Sequence, residues 1–200
     1  MSFKTTQGQY RCIRLQADDL ELYTQAQELC WQDKLDHGDY DVSEEDARDV
    51  LQATHQSGAY YWEGVFNDSD CAHFILLKNR PSGYDEIVGL TSLTIQQENN
   101  SIRFDASHIL TPYREKKLSQ LLYNARLNHV IEHTSYDHIC THTDPSNHPS
   151  IAAMRGNGFE YGRMHTFNVK AGPKFLFHRN IAHLRERPDQ VPDLRSEYTK

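Results

Sequence analysis

Thr111-Pro-Tyr-Arg-Glu-Lys-Lys-Leu-Ser119 is the stretch on which the reading of this 200-residue chain turns. A strand-like segment ends at Leu110, a proline and a cluster of cations make a turn, and an apolar pattern with helical spacing starts at Leu118. The succession is strand, loop, helix start. The first N–H groups of a helix have no partner inside it and carry the positive end of its dipole, so such a junction attracts anions. Cations at a helix start oppose that dipole by about 0.3–1 kcal/mol each. Arg114, Lys116 and Lys117 therefore make better sense if an anion docks there, and a phosphorylated ligand is the first expectation.

Outward from the junction, the helix spans residues 115 to about 133 and carries Leu118, Leu121, Leu122, Ala125 and His129 on one stripe. Residues 73–78, 86–95 and 101–110 read as a meander of three strands, with Pro81-Ser-Gly-Tyr-Asp85 as the first turn. Downstream come a strand at 138–143, the loop Asp144-Pro-Ser-Asn-His-Pro149, a short helix at 150–157 closed by Gly158, and strands at 159–169 and 175–178. At the N-terminal side, residues 10–15 form a first strand. Asp18 or Asp19 caps a helix with Leu20, Tyr23, Ala26 and Cys30 at helical spacing, which stops near Gly38. Ser43-Glu-Glu-Asp46 resembles a capping box opening a second helix over 43–55. Residues 58–66 read as a strand or as the end of a helix, and the aromatic content of Tyr60, Tyr61 and Trp62 favours the strand. One domain is expected over residues 1–184, with 185–200 as an extended or disordered tail that has no apolar period.

Hydrophobic residues make up 38% of the chain and charged ones 24%, which suits a globular protein with one core. No apolar run approaches the roughly 20 residues of a membrane span. The N-terminus lacks the apolar core of a secretory signal, so a cytoplasmic location with no membrane partner is expected. A formal net charge of −7 argues against nucleic acid and mildly favours a cationic substrate. Cys12, Cys30, Cys71 and Cys140 are too far apart for a zinc motif or a disulfide framework and read as buried free thiols. The 12 histidines form no metal-ligand pattern, so no metal is expected.

Two motifs in this order of elements resemble the GNAT superfamily of acyl-CoA-dependent N-acyltransferases. Arg114-Glu-Lys-Lys-Leu-Ser119 falls on the pyrophosphate loop R/Q-x-x-G-x-G/A, and Asn147-His-Pro-Ser150 followed by Gly158-Phe159 matches the closing N-x-x-S/A and G-F pattern. The resemblance covers the chain from about Tyr10 to His183. It implies an α/β (α+β) fold: a mixed, mostly antiparallel sheet of about seven strands, flanked by about four helices and splayed at the acyl-CoA site. It implies acetyl-CoA as co-substrate, held by Ile109, Leu110, Arg114, Lys116, Lys117, Leu118, Ser119, Asn147 and Ser150, and an amine acceptor. A homodimer is compatible with this reading. Lys117 and Ser119 replace both motif glycines, and Met154 stands where many relatives have a tyrosine that protonates the departing thiolate. Met154 itself reads as helix packing. These departures keep a second reading open, a CoA-binding module or pseudoenzyme without transfer activity.

Acyl transfer to an amine requires that the amine first lose a proton. An amine of pKa near 10.4 lies about three units from deprotonation at pH 7, a cost of about 4 kcal/mol, whereas a thiol of pKa about 8.5 leaves readily. A base is needed more than an acid. Histidine matches the task better than an unshifted carboxylate. The candidates are His108 and Asp105 on the strand before the loop and His142 on the next parallel strand, with Asp144 read as a turn former. A backbone N–H near Ile109 or Leu110 would face the developing oxyanion. The acidic segment 36–49 lies where the family places acceptor-binding helices; its charge suits a cationic amine and equally an ordinary solvated helix start.

Overall fold

A computed structural model describes residues 4–186, apart from 8, 40, 41, 82, 84 and 169–171. Among the described residues there is one sheet of eight strands, in the order β1-β2-β3-β4-β5-β6-β8-β7. The strands are β1 (Lys4–Gln7), β2 (Tyr10–Arg14), β3 (Cys71–Lys78), β4 (Glu86–Gln96), β5 (Ser101–Ile109), β6 (His138–Thr143), β7 (Glu160–Asn168) and β8 (Gly172–Asn180). Every neighbouring pair is antiparallel except β5 and β6. The helices are α1 (Leu20–His37), α2 (Glu44–Ser57), α3 (Ala59–Phe66), α4 (Ser119–His133), α5 (His148–Gly156) and α6 (Ala182–Glu186). The fold class is as the resemblance implies; the strand and helix counts are higher than the expected seven and four.

Each face of the sheet buries its own core. On one face, Phe74, Leu76, Leu93, Ile102 and Phe104 pack with Leu118, Leu121, Leu122 and Val130 of α4 and its approach. On the other, Leu15, Ile75, Leu77 and Leu90 meet Tyr23, Ala26 and Cys30 of α1 and Trp62 and Phe66 of α3. Helix α4 is buried nearly all round, including Tyr123, Asn124 and Arg126; Asn157 and Phe159, between α5 and β7, and Arg179 of β8 contact the side turned from the sheet centre.

Three sequence expectations need correction. Residues 59–66 are a helix rather than a strand: Trp62 and Phe66, four apart, share one stripe against Tyr23, and the indole N–H of Trp62 donates to Thr54 Oγ1 at 3.2 Å. Tertiary packing outweighs the strand preference of the aromatics. Helix α4 begins at Ser119, not at residue 115, because Glu115 and Lys117 have φ of 64° and 57°, outside the helical region. Arg185, expected in the tail, belongs to α6. It donates to the carbonyls of Val130, Ile131 and Tyr136 and pairs with Asp137, capping the C-terminal end of α4 with a cation. Residues 187–200 of the expected tail lie outside the described residues.

The second helix follows its capping box: Ser43 Oγ accepts from the Asp46 N–H at 3.1 Å and donates to the Asp46 carboxylate.

Candidate functional site

Strands β5 and β6 part early. They are paired only at Ile102–Ile139 and Arg103–Cys140, after which both run on separately toward their C-terminal ends. A bulge in the β4–β5 ladder between Thr91 and Leu93 marks the place where β5 bends away. Buried Arg126 of α4 lies under this bulge, its guanidinium 4.3 Å from the Phe104 ring centre and its Nη1 donating to Asp105 O at 3.1 Å. Burial lowers its pKa to about 10, which leaves it charged at neutral pH. Gly89 permits the close approach of β4 to β5, since a Cβ there would lie 2.6 Å from His108 O.

The parting leaves donors exposed. The Leu110 N–H is returned to Val88 O at 3.0 Å, and since alternate residues of a strand point their N–H groups to opposite sides, the Ile109 N–H faces the gap. Of the two residues expected to present a donor, Ile109 is the one whose N–H the topology leaves available. Its carbonyl accepts from Arg114 Nε at 3.0 Å.

Beyond Leu110 the chain makes a 3-10 turn at Thr111–Tyr113 and then the basic loop. Among the described residues, no protein acceptor takes the N–H groups of Lys117 through Ser119; Gln120 is the next to donate, to Lys117 O at 3.2 Å. Left-handed Lys117 is followed by right-handed Leu118, and such a pair gathers successive N–H groups into an anion-binding concavity. Lys117 occupies the position of the first motif glycine and adopts the conformation that glycine would take. No acid pairs with it among the described residues. Lys116 lies over the Tyr113 ring at 4.9 Å and donates to Pro112 O at 3.3 Å.

Arg114 is held by a residue that is absent from the sequence-derived candidates. Asp33, on the buried face of α1, accepts from Arg114 Nη2 at 3.1 Å, from the Thr111 N–H at 2.9 Å, from Thr111 Oγ1 at 3.0 Å and from His108 Nε2 at 2.8 Å. Burial would raise the pKa of this carboxyl, but the bonds from Thr111 and His108 hold it below the ordinary value. Asp33 is therefore an ionised, acceptor-only group, so Nε2 of His108 carries a proton and the lone pair of the neutral ring is on Nδ1. His108 is buried, and burial above all lowers its pKa against the opposing pull of Asp33. Asp39 Oδ2 lies 3.9 Å from Nδ1. A signal for Asp33 exists in the sequence: Tyr23, Ala26, Cys30 and Asp33 continue one helical stripe, so a carboxylate stands in an apolar row.

The other expected site residues are distributed as follows. Asp105 is engaged on β5 by Thr94 Oγ1 and by an ion pair with Arg103. His142 lies half-buried on β6 between the inward Thr141 and Thr143, on the same strand face as Cys140. The Cys140 thiol is pushed upward by burial and donates to Gln96 Oε1 at 3.4 Å, which does not suit a thiolate nucleophile. Asn147 Oδ1 caps α5 by accepting from the Ser150 N–H at 3.1 Å, so these two residues are joined to each other. Met154 packs against the α4 core. Tyr60 and Tyr61 are exposed while Trp62 is buried. Among the described residues, no group of three His, Cys, Asp or Glu side chains is placed to hold a metal. A concavity of about 490 Å³ lined by His138, His178, Arg179 and His183 lies at the start of β6, the end remote from the loop, so open donors rather than volume mark the candidate site.

A sequence model described as the Acetyltransferase (GNAT) family matches residues 23–159. No curated protein matches the chain. Similar solved structures include a ribosomal-protein-S5-alanine acetyltransferase from Vibrio fischeri, at 11% identity over 91% of this chain and 97% of that one, with a TM-score of 0.64. A PaiA N-acetyltransferase from Thermoplasma acidophilum in complex with coenzyme A covers 86% of this chain and 98% of its own at 15% identity, TM-score 0.59. A spermidine N-acetyltransferase from Vibrio cholerae in complex with CoA and spermine covers 87% and 96% at 13% identity, TM-score 0.57.

Proposed function

The chain belongs to the GNAT acetyltransferase family and is an acyltransferase, and from that premise we propose that it moves an acetyl group from acetyl-CoA to a primary amine by direct attack. The observation that carries the reading is the set of open N–H groups from Lys117 to Ser119 at the start of α4, together with the free-edge N–H of Ile109 at the end of β5. Acetyl-CoA supplies an activated thioester and a pyrophosphate that binds such N–H groups. Lys117 adds a positive charge at the same place, and Ile109 N–H is the donor available to the acyl oxygen.

His108 is the base in this reading. Its Nε2 proton is tied to Asp33, so Nδ1 takes the proton from the attacking amine. Asp105 is a poorer base, because Arg103 holds its carboxylate. No acid replaces the tyrosine absent at Met154, and none is needed for a thiol of pKa about 8.5. Asp39, near Nδ1 and 3.9 Å from Lys34 Nζ, places a carboxylate where an ammonium would arrive, and with the net charge of −7 this supports a cationic acceptor such as a polyamine or a basic peptide end. A cytoplasmic location and a homodimer belong to the same proposal.

Thiol release from acetyl-CoA measured across a panel of polyamines, aminoglycosides and peptide N-termini tests this. Turnover with at least one amine is expected, and His108→Ala should lower it by about 100-fold or more with CoA affinity retained. A protein that binds CoA and turns over no amine would favour the binding-module reading.

A further inference from the structure

Asp33 is the one carboxylate on the buried stripe of α1, and apart from His37 one turn further on, whose Nδ1 lies 3.4 Å from Oδ1, its partners come from far along the chain. Its two oxygens take four donors from three residues, all on β5 or the loop that follows it. Helix α1 otherwise meets the sheet through apolar contacts of Tyr23, Ala26 and Cys30. A carboxylate used only for packing would not need donors of such different kinds: a ring N–H, a backbone N–H, a hydroxyl and a guanidinium. What these donors share is position, since His108, Thr111 and Arg114 surround the point where β5 ends and the anion loop begins.

We propose that Asp33 is the positioning residue of the transfer site: from α1 it holds His108 in the tautomer whose lone pair is on Nδ1, and it fastens the anion loop through Thr111 and Arg114. Base and loop are then placed relative to each other by one side chain. The inference rests on the reading of His108 as base. The groups facing His108 besides Asp33 are Lys34 and Asp39 from the α1 end and Arg114 from the loop. Asp33 is the acceptor at hydrogen-bond distance from Nε2, while Asp39 Oδ2 lies 3.9 Å from Nδ1, so Asp33 is the group that favours a proton on Nε2.

The experiment pairs imidazole ¹⁵N NMR of His108 with kinetics of thiol release in the wild type, Asp33→Asn, Asp33→Glu and Arg114→Gln. In the wild type at neutral pH, Nε2 should be protonated and Nδ1 bare. Asp33→Asn should move the proton toward Nδ1, lower kcat by about 100-fold and displace the acid limb of the pH profile. Asp33→Glu, which keeps the charge, should restore the tautomer and part of kcat. Arg114→Gln should raise the Kd for CoA several-fold and leave the tautomer unchanged. A wild-type His108 protonated on Nδ1, or an Asp33→Asn variant whose only change is a lower melting temperature, would overturn the proposal. If Asp33→Asn does not fold, the wild-type tautomer and Asp33→Glu still decide it. If the wild type acetylates no amine, the function proposed above fails, while the NMR result still decides whether Asp33 sets the tautomer.

Discussion

Lys117 shows how a loop keeps its shape after losing the residue usually needed for it. Its φ of 57° lies in the left-handed region, which costs a side-chain-bearing residue about 1–2 kcal/mol relative to glycine. Restoring glycine adds chain entropy to the unfolded state, worth about 0.4–1 kcal/mol in the other direction. Lys117→Gly should therefore leave stability unchanged or raise it by up to about 1.6 kcal/mol, read as an unchanged or higher melting temperature. CoA affinity measured by calorimetry should stay within about threefold, because the N–H groups and not the ammonium supply most of the attraction. A tenfold loss would assign the binding to the side chain, and Lys117→Glu should weaken binding strongly in either case. Arg114, Lys116 and Lys117 are all legible in the sequence as cations at a helix start. That Arg114 turns inward to Asp33 is not, because its partner is 81 residues away.

At the scale of the element, the junction depends on β4 lying close against β5. Gly89→Ala would drive a Cβ into His108 O, 2.6 Å away, and backbone must move to admit it. We expect a loss of about 1–3 kcal/mol in a urea titration, together with lower turnover as His108 shifts on β5. Loss of stability with kcat untouched would show that the strand accommodates the change away from the site. Element boundaries are legible where a cap or glycine marks them, as at Ser43 and Gly38. They mislead where two signals compete. In residues 58–66 a run of aromatics suggests a strand, yet Gly58 at φ 56° ends α2 and the four-residue spacing of Trp62 and Phe66 starts α3. The sequence pattern puts the start of α4 four residues before Ser119, because apolar spacing cannot register a left-handed turn.

For the whole molecule, three buried histidines bind the stability of both cores to pH. His73 packs with Tyr23 and Phe66 on the α1 face, His129 with Phe74 on the α4 face, and His108 lies at the splay. Burial lowers the pKa of each, that of His129 to about 4. The unfolded chain, with histidine pKa near 6.5, then binds more protons than the folded one as pH falls through this range. Stability should be full above about pH 7 and decline as pH drops from about 6.5 toward 4; His129→Leu should flatten part of the slope. A melting temperature constant from about pH 7 to about pH 5 would contradict this. The sequence by itself determined most of the order of elements, all but β1, α3 and α6, and the basic loop before α4, because apolar periodicity, caps and clustered charge act over a few residues. Only the tertiary structure decided that the strands part after Ile102 and Arg103, that Ile109 rather than Leu110 keeps a free N–H, and that Asp33 joins His108 to the loop. Those facts depend on register and on side chains brought together from distant parts of the chain, which no local pattern encodes.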